Sequence, residues 1–155
     1  MKFSAREDIE APIDHVFARV TDFAGFERQI MRRGADVRRI DAGQPVQAGS
    51  SWDVAFSYRG RERRLLATVA RLDPPTTIAI DMAASGLDGV TLIDLVALSP
   101  QRTRLSVSIE LSARTLSARL LLQSLKLAKS NLTSRFKARV ADLAKDITKG
   151  QVRRT

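Results

Sequence analysis

Few side chains in this sequence can move a proton near neutral pH. Asp94, Tyr58, Glu110, Asp81 and His15 are the candidates an acid–base mechanism would draw on. Asp94 is the most informative. In the run Val90 to Leu98 it shares one side with Leu92 and Val96, while Ile93 and Leu95 take the other. If its side were buried, the carboxyl would have a raised pKa or an arginine partner. The outward placement is preferred, because an unpaired buried carboxylate is costly. Asp94 and Tyr58 stay as the acid or base candidates, and no catalytic residue is assigned. His15 is the only histidine and there is no cysteine, which excludes disulfides, thiolate sites and zinc sites of the usual kinds. Arg59, Arg61, Arg63 and Arg64 surround Glu62 near a turn. Alternation spreads them over both faces, so they read as a solvated tip rather than a phosphate cradle. The stretch Gly86-Leu87-Asp88-Gly89 lacks phosphate-loop spacing and reads as a hairpin turn.

Positioning such groups requires a fold, and 155 residues suffice for one domain with a sizeable core. The net charge of +9 is unevenly spread: residues 1–111 carry 15 basic and 15 acidic side chains, and 112–155 carry 11 basic against Asp142 and Asp146. That asymmetry fits either a solvated helix face or attraction to an anionic membrane surface or acidic partner. The few aromatics fall mostly at inward positions, which argues against nucleic-acid binding. No signal-peptide apolar region and no run long enough to span a bilayer are present, so a soluble cytoplasmic protein is expected.

The chain opens with a strand over Phe3 to Ile9. Pro12 and Asp14 then start a helix with Ile13, Val16, Phe17 and Val20 on one face. A second helix is read over Phe23 to Arg33, ending at Gly34. Strands follow over Val37 to Ile40, Ser51 to Tyr58, Arg63 to Leu72, Thr77 to Ala83, Val90 to Leu98 and Arg104 to Leu111, with hairpin-sized gaps that imply an antiparallel meander. After Thr115 or Ser117 no Gly or Pro appears before Gly150, so one helix of about nine turns is expected. Its core stripe is Leu121, Leu125, Ala128, Leu132, Phe136, Val140, Leu143 and Ile147. Leu116, Leu120 and Leu127 lie off that stripe and suggest a homodimer contact, a pocket lid or a membrane contact. The domain is placed at 1–149, with a frayed basic tail over 150–155.

This order of elements, together with the opening Ile9-Glu10-Ala11-Pro12-Ile13-Asp14-His15-Val16-Phe17 and the later Thr21-Asp22-Phe23, resembles the START-like helix-grip superfamily (SRPBCC). Within it the nearest look is to the polyketide cyclase/dehydrase and lipid-transport group. The resemblance covers nearly the whole chain. It implies an α+β helix-grip fold: a curved antiparallel sheet of about seven strands, ordered β-α-α-β6-α, wrapped around a long C-terminal helix. It also implies a cavity between sheet and helix for a lipid, quinone, polyketide or aromatic compound; no cofactor or metal is expected. The inward residues that would line it are Trp52, Val54, Phe56, Tyr58, Ile80, Met82 and Leu92, with Leu121, Leu125 and Leu132 from the helix and Phe26 and Ile30 near the mouth. Three functions fit: a carrier or sensor of a hydrophobic small molecule, a small cyclase or dehydratase using Asp94 or Tyr58, and a homodimeric interaction module with a filled cavity.

Overall fold

The computed structural model describes residues 1–41 and 43–154, apart from the side chains of 151–154. Its elements run β1 (Lys2–Ile9), α1 (Ile13–Val20), α2 (Phe23–Arg32), β2 (Asp36–Arg39), β3 (Ser51–Tyr58), β4 (Arg61–Asp73), β5 (Thr77–Ala84), β6 (Leu87–Ser99), β7 (Arg102–Ala113), α3 (Leu116–Leu127) and α4 (Lys129–Arg154). The strands form a single antiparallel sheet of seven, in the order β1-β7-β6-β5-β4-β3-β2. The meander expected from the short connections is therefore present, and β1 closes it by pairing with the last strand. Register shifts between Val69 and Arg71 and between Ala97 and Ser99 interrupt the ladders. Such bulges bend a strand and increase its twist, which helps curve the sheet around the helices.

Two hairpin tips reach toward the C-terminal helices. Arg59-Gly60 joins β3 to β4 with φ of 53° and 75°, and Ser85-Gly86 joins β5 to β6 with φ of 47° and 82°. Two positive φ values in a two-residue loop define the turn whose twist matches that of paired strands, and glycine at the second position makes it accessible. Gly86 has a second role. A Cβ there would lie 2.5 Å from Oγ1 of Thr115, the residue whose side chain accepts from the Ala118 N–H and caps α3. The β5–β6 tip thus seats the start of α3, and its Gly86 carbonyl accepts from the Arg114 N–H.

The expected single C-terminal helix is two. Ala128 has φ −102° and ψ 12° and is exposed, so the stripe loses a member where α3 meets α4. No proline or glycine marks this break. The expected tail over 150–155 has Thr155 and the side chains of 151–154 outside the described residues, while the backbone of α4 continues to Arg154.

The core occupies one end of the concave face. Val140, Ala144 and Ile147 of α4 pack with Val16 and Val20 of α1 and with Ile78, Leu95, Leu105 and Val107 of the central strands. The α1 helix is fastened to α4 by polar contacts as well. His15 Nε2–H donates to the Ile147 carbonyl at 3.3 Å, and Arg19 Nη1 donates to the Asp146 carbonyl at 3.3 Å. His15 is thus a packing group at the helix crossing. Among the described residues, no helix is long and apolar enough to cross a membrane.

Candidate functional site

The opposite end of the concave face is open. A cavity of about 1110 Å³ lies beneath α3, bounded by the β3–β4 and β5–β6 tips, the far half of β7, the start of β1 and the first turns of α4. Its apolar wall includes Phe3, Phe56, Ile109, Leu111, Leu121, Leu125, Leu132 and Phe136. Phe3 and Phe136 form a tilted pair with ring centroids 6.2 Å apart, and Phe136 also packs against the core. That pair is the floor where core gives way to empty space. Volumes of about 300–1,000 Å³ are usual for small-molecule pockets, so this one lies just above that range.

Of the twelve residues expected to line a pocket, Phe56, Tyr58, Leu121, Leu125 and Leu132 are on its wall. The other seven are elsewhere, for reasons the register makes plain. Trp52 is 5% exposed, its ring stacked on Phe23 at 5.3 Å with its indole N–H donating to Glu27. It plugs the α2 end of the sheet. Phe26 and Ile30 belong to that same helix, which lies beside β2, so they do not stand at the cavity mouth. Val54 pairs with Val37 and Leu65 toward the β2 edge. Ile80 packs against the core, and Met82 sits behind the wall, where its methyl and Leu111 flank Gly89. Leu92 is on the convex side, opposite Ala79 and Ser108.

Leu92 and Asp94 share a face, so an outward Asp94 and an inward Leu92 were mutually exclusive expectations along one alternating strand. Ile93 and Leu95 pack into the core, which puts Asp94 outside, where its Oδ1 accepts from Thr77 Oγ1 at 3.2 Å. Glu110 and Asp81 are exposed on the same convex side, paired with Val90. Tyr58 is thus the one acid–base candidate that reaches the cavity.

Sequence reasoning missed the polar rim. Tyr58 pairs with Arg61 and Phe56 with Arg63, so both arginines share the concave face with those aromatics. Arg64, on the convex face, instead pairs with Asp53 at 3.3 Å. Arg59 folds back from the turn, its Cζ 5.2 Å from the Tyr58 ring centroid and its Nη2 donating to Ser124 Oγ of α3 at 3.3 Å. Arg63 Cζ lies 5.9 Å from the same ring. Arg59, Arg61, Glu62 and Arg63 all line the cavity, so the tip is only partly the solvated cluster that alternation suggested. The readable signal was parity: Arg61 and Arg63 fall an even number of residues from inward Leu65, Ala67 and Val69.

The sequence profile of the family described as polyketide cyclase / dehydrase and lipid transport matches residues 1–148. The chain belongs to this family. Membership carries the helix-grip superfamily with it, as the opening motif and element order suggested. No curated protein matches the chain. Among solved structures, TTHA0849 from Thermus thermophilus superposes with a TM-score of 0.68 at 12% identity, over 97% of this chain and 99% of that one. The Zhui aromatase/cyclase from Streptomyces sp. R1128 gives 0.63 at 18% identity, over 99% and 94%. Mll3558 from Rhizobium loti gives 0.55 at 22% identity, over 86% and 95%. These likenesses establish the fold, a curved antiparallel sheet gripping a long C-terminal helix.

Proposed function

We propose that the protein binds a hydrophobic small molecule, a lipid, quinone, polyketide or aromatic compound, in the cavity under α3. The observation that carries this reading is the cavity itself: about 1110 Å³ walled by aromatic and aliphatic side chains from two helices and the sheet. Emptying apolar walls of ligand exposes them to water, so filling them with an apolar guest is favourable. A carrier role is preferred over a cyclase or dehydratase because Asp94 is turned outward, which leaves only Tyr58 and Glu62, both exposed, as acid or base among the described residues lining the cavity. The test is native purification, solvent extraction and mass spectrometry. A stoichiometric hydrophobic compound supports the reading; its absence, with no heat of binding for added lipids, quinones and aromatic probes, refutes it.

Leu116, Leu120 and Leu127 of α3 are 73%, 59% and 92% exposed, and Arg119, Lys126 and Lys129 accompany them. An apolar strip with neighbouring cations suits the interface of an anionic membrane, where the leucines enter and the cations meet headgroups. Flotation with vesicles containing phosphatidylserine, compared with neutral vesicles, tests this. A concentration-dependent dimer without vesicle binding would assign the strip to a second copy instead.

A further inference from the structure

We infer that the cavity's ligand is an amphiphile with an anionic end group, carboxylate or phosphate in chemistry, held at the rim by Arg63 and Arg59 while its apolar body lies on the Phe3–Phe136 floor. This rests on the ligand-binding reading above and narrows it to a chemical class.

The arginines differ in their partners. Arg38, Arg39, Arg64, Arg71, Arg102, Arg104 and Arg114 each have a carboxylate within 4.0 Å. Among the described residues, Arg59, Arg61 and Arg63 have none, a state they share with exposed arginines such as Arg28 and Arg119, but here two guanidinium groups, those of Arg59 and Arg63, lie 5.2 and 5.9 Å from one phenol ring and Arg61 lines the same cavity, with Glu62 the one carboxylate on its wall. Like charges brought together without counter-charge repel, an arrangement that binding an anion would relieve. Arg63 is the more telling. Its Nε is shielded from solvent and has no hydrogen-bond partner among the described residues, and a buried donor left unpaired is costly. Strand parity directs it inward beside Phe56, so the unmet donor belongs to a cavity-lining side chain. Arg59 reaches the same rim from the turn and is tied to α3 through Ser124, which places a second fork of donors across the opening. Planar guanidinium forks match carboxylate and phosphate oxygens in bidentate geometry. Below this rim the wall is hydrocarbon, so polarity changes from cationic to apolar along the cavity, complementary to a fatty-acid-like molecule.

Calorimetry with a matched set provides the test: dodecanoate, dodecyl phosphate, 1-dodecanol and dodecylamine, each below its aggregation concentration, at neutral pH and low salt. At least one of the two anions should bind about 10-fold or more tightly than the alcohol, equivalent to about 1.4 kcal/mol, with the amine weakest. Which anion is preferred distinguishes a carboxylate from a phosphate ligand. In Arg63→Gln the advantage of the anion over the alcohol should fall to about 2-fold, and Arg63→Lys should retain part of it. If the alcohol and both anions bind the wild type equally, the anion inference is overturned and the cavity reading stands. If no chain binds, the cavity reading fails and the inference with it. Should Arg63→Gln not fold, screening the wild-type preference with 0.5 M salt gives the same discrimination. An anion preference indifferent to salt overturns the assignment to these arginines.

Discussion

Ile147 and Leu132 lie on the same face of α4, one in the core and one on the cavity wall, so truncating each tests whether the cavity is open in solution. Ile147 is 0% exposed and packed on every side. Ile147→Ala removes three carbon groups at about 0.8 kcal/mol each. A residual void of roughly 50 Å³, at 24 cal/mol per Å³, adds about 1.2 kcal/mol, for a total of about 3.5 kcal/mol. Leu132 is half-buried and already borders about 1110 Å³ of open space. Leu132→Ala forfeits about half the transfer term and creates almost no new void, so about 1 kcal/mol is expected. In a chain of 155 residues, at 2–4 °C per kcal/mol, that places the Ile147→Ala midpoint about 10 °C below wild type and the Leu132→Ala midpoint about 3 °C below it. Urea unfolding monitored by circular dichroism, with equal m-values as the check on two-state behaviour, measures both. Equal costs would mean the space beneath α3 is packed in solution and would remove the basis for a ligand site.

Gly86→Ala should destabilise by about 2–3 kcal/mol, since it forces a side chain onto φ 82° and onto the Thr115 cap of α3. Gly60→Ala meets nothing within 4 Å and should cost about 1–2 kcal/mol. Equal losses in chemical denaturation would show that the tip does not seat α3. Trp52 is sealed by Phe23 and Glu27, so its emission maximum should not move when a ligand fills the cavity; a shift at saturation would place the ligand at the α2 end. A hydrogen bond from Arg104, aided by the charges of Arg104, Arg102 and Arg6, holds the Asp8 carboxyl below its ordinary pKa of 3.8. Its folded pKa is depressed, so its contribution is present above 3.8 and lost as pH falls through the lower folded value. Asp8→Asn should therefore melt lower than wild type at pH 6, with the gap closing toward pH 2; a constant gap would mean the pair contributes through packing alone.

Most of the fold was legible because each strand obeys a period of two and each gap holds a turn residue. Ser51–Tyr58 was placed to the residue, and the other strands differ from expectation only at their ends. The β6 strand was harder, because Leu92, Val96 and Leu98 are apolar on a side that faces solvent, with Val96 55% exposed. An aliphatic residue on the convex face carries the same pattern signal as one in the core, and only pairing with Ile78 and Val107 puts Ile93 inside. The site was half legible for a related reason. Inward parity was right for Trp52, Val54, Ile80 and Met82, yet parity says which face a residue takes and nothing about where along that face the packing stops. The cationic rim escaped because four arginines close in sequence read as surface, although alternation alone puts Arg61 and Arg63 on the side of Tyr58 and Phe56.

The division of the concave face into core and cavity follows from the helix that covers it. From Val140 to Ile147, α4 presents buried residues that meet α1 and the central strands, leaving no room. Toward its start Leu132 and Phe136 are half-buried, and beyond Ala128 α3 takes over with a fresh start capped by Thr115. A single straight helix would continue the α4 stripe; the break lets α3 take its own line across the opening. That line leaves Leu121 and Leu125 facing the space, while Leu116 and Leu127 face solvent. The same segment therefore forms the cavity's roof and displays its largest exposed apolar residues. That roof is fastened at one end by Thr115 and Gly86, at the other by continuity with α4, across its span by the exposed Arg59–Ser124 bond, and along β7 by packing that buries Ala118. Apart from Ala118, the residues of α3 are exposed or half-buried, so its amide hydrogens should exchange faster than those of the core half of α4 and slow if a ligand fills the cavity.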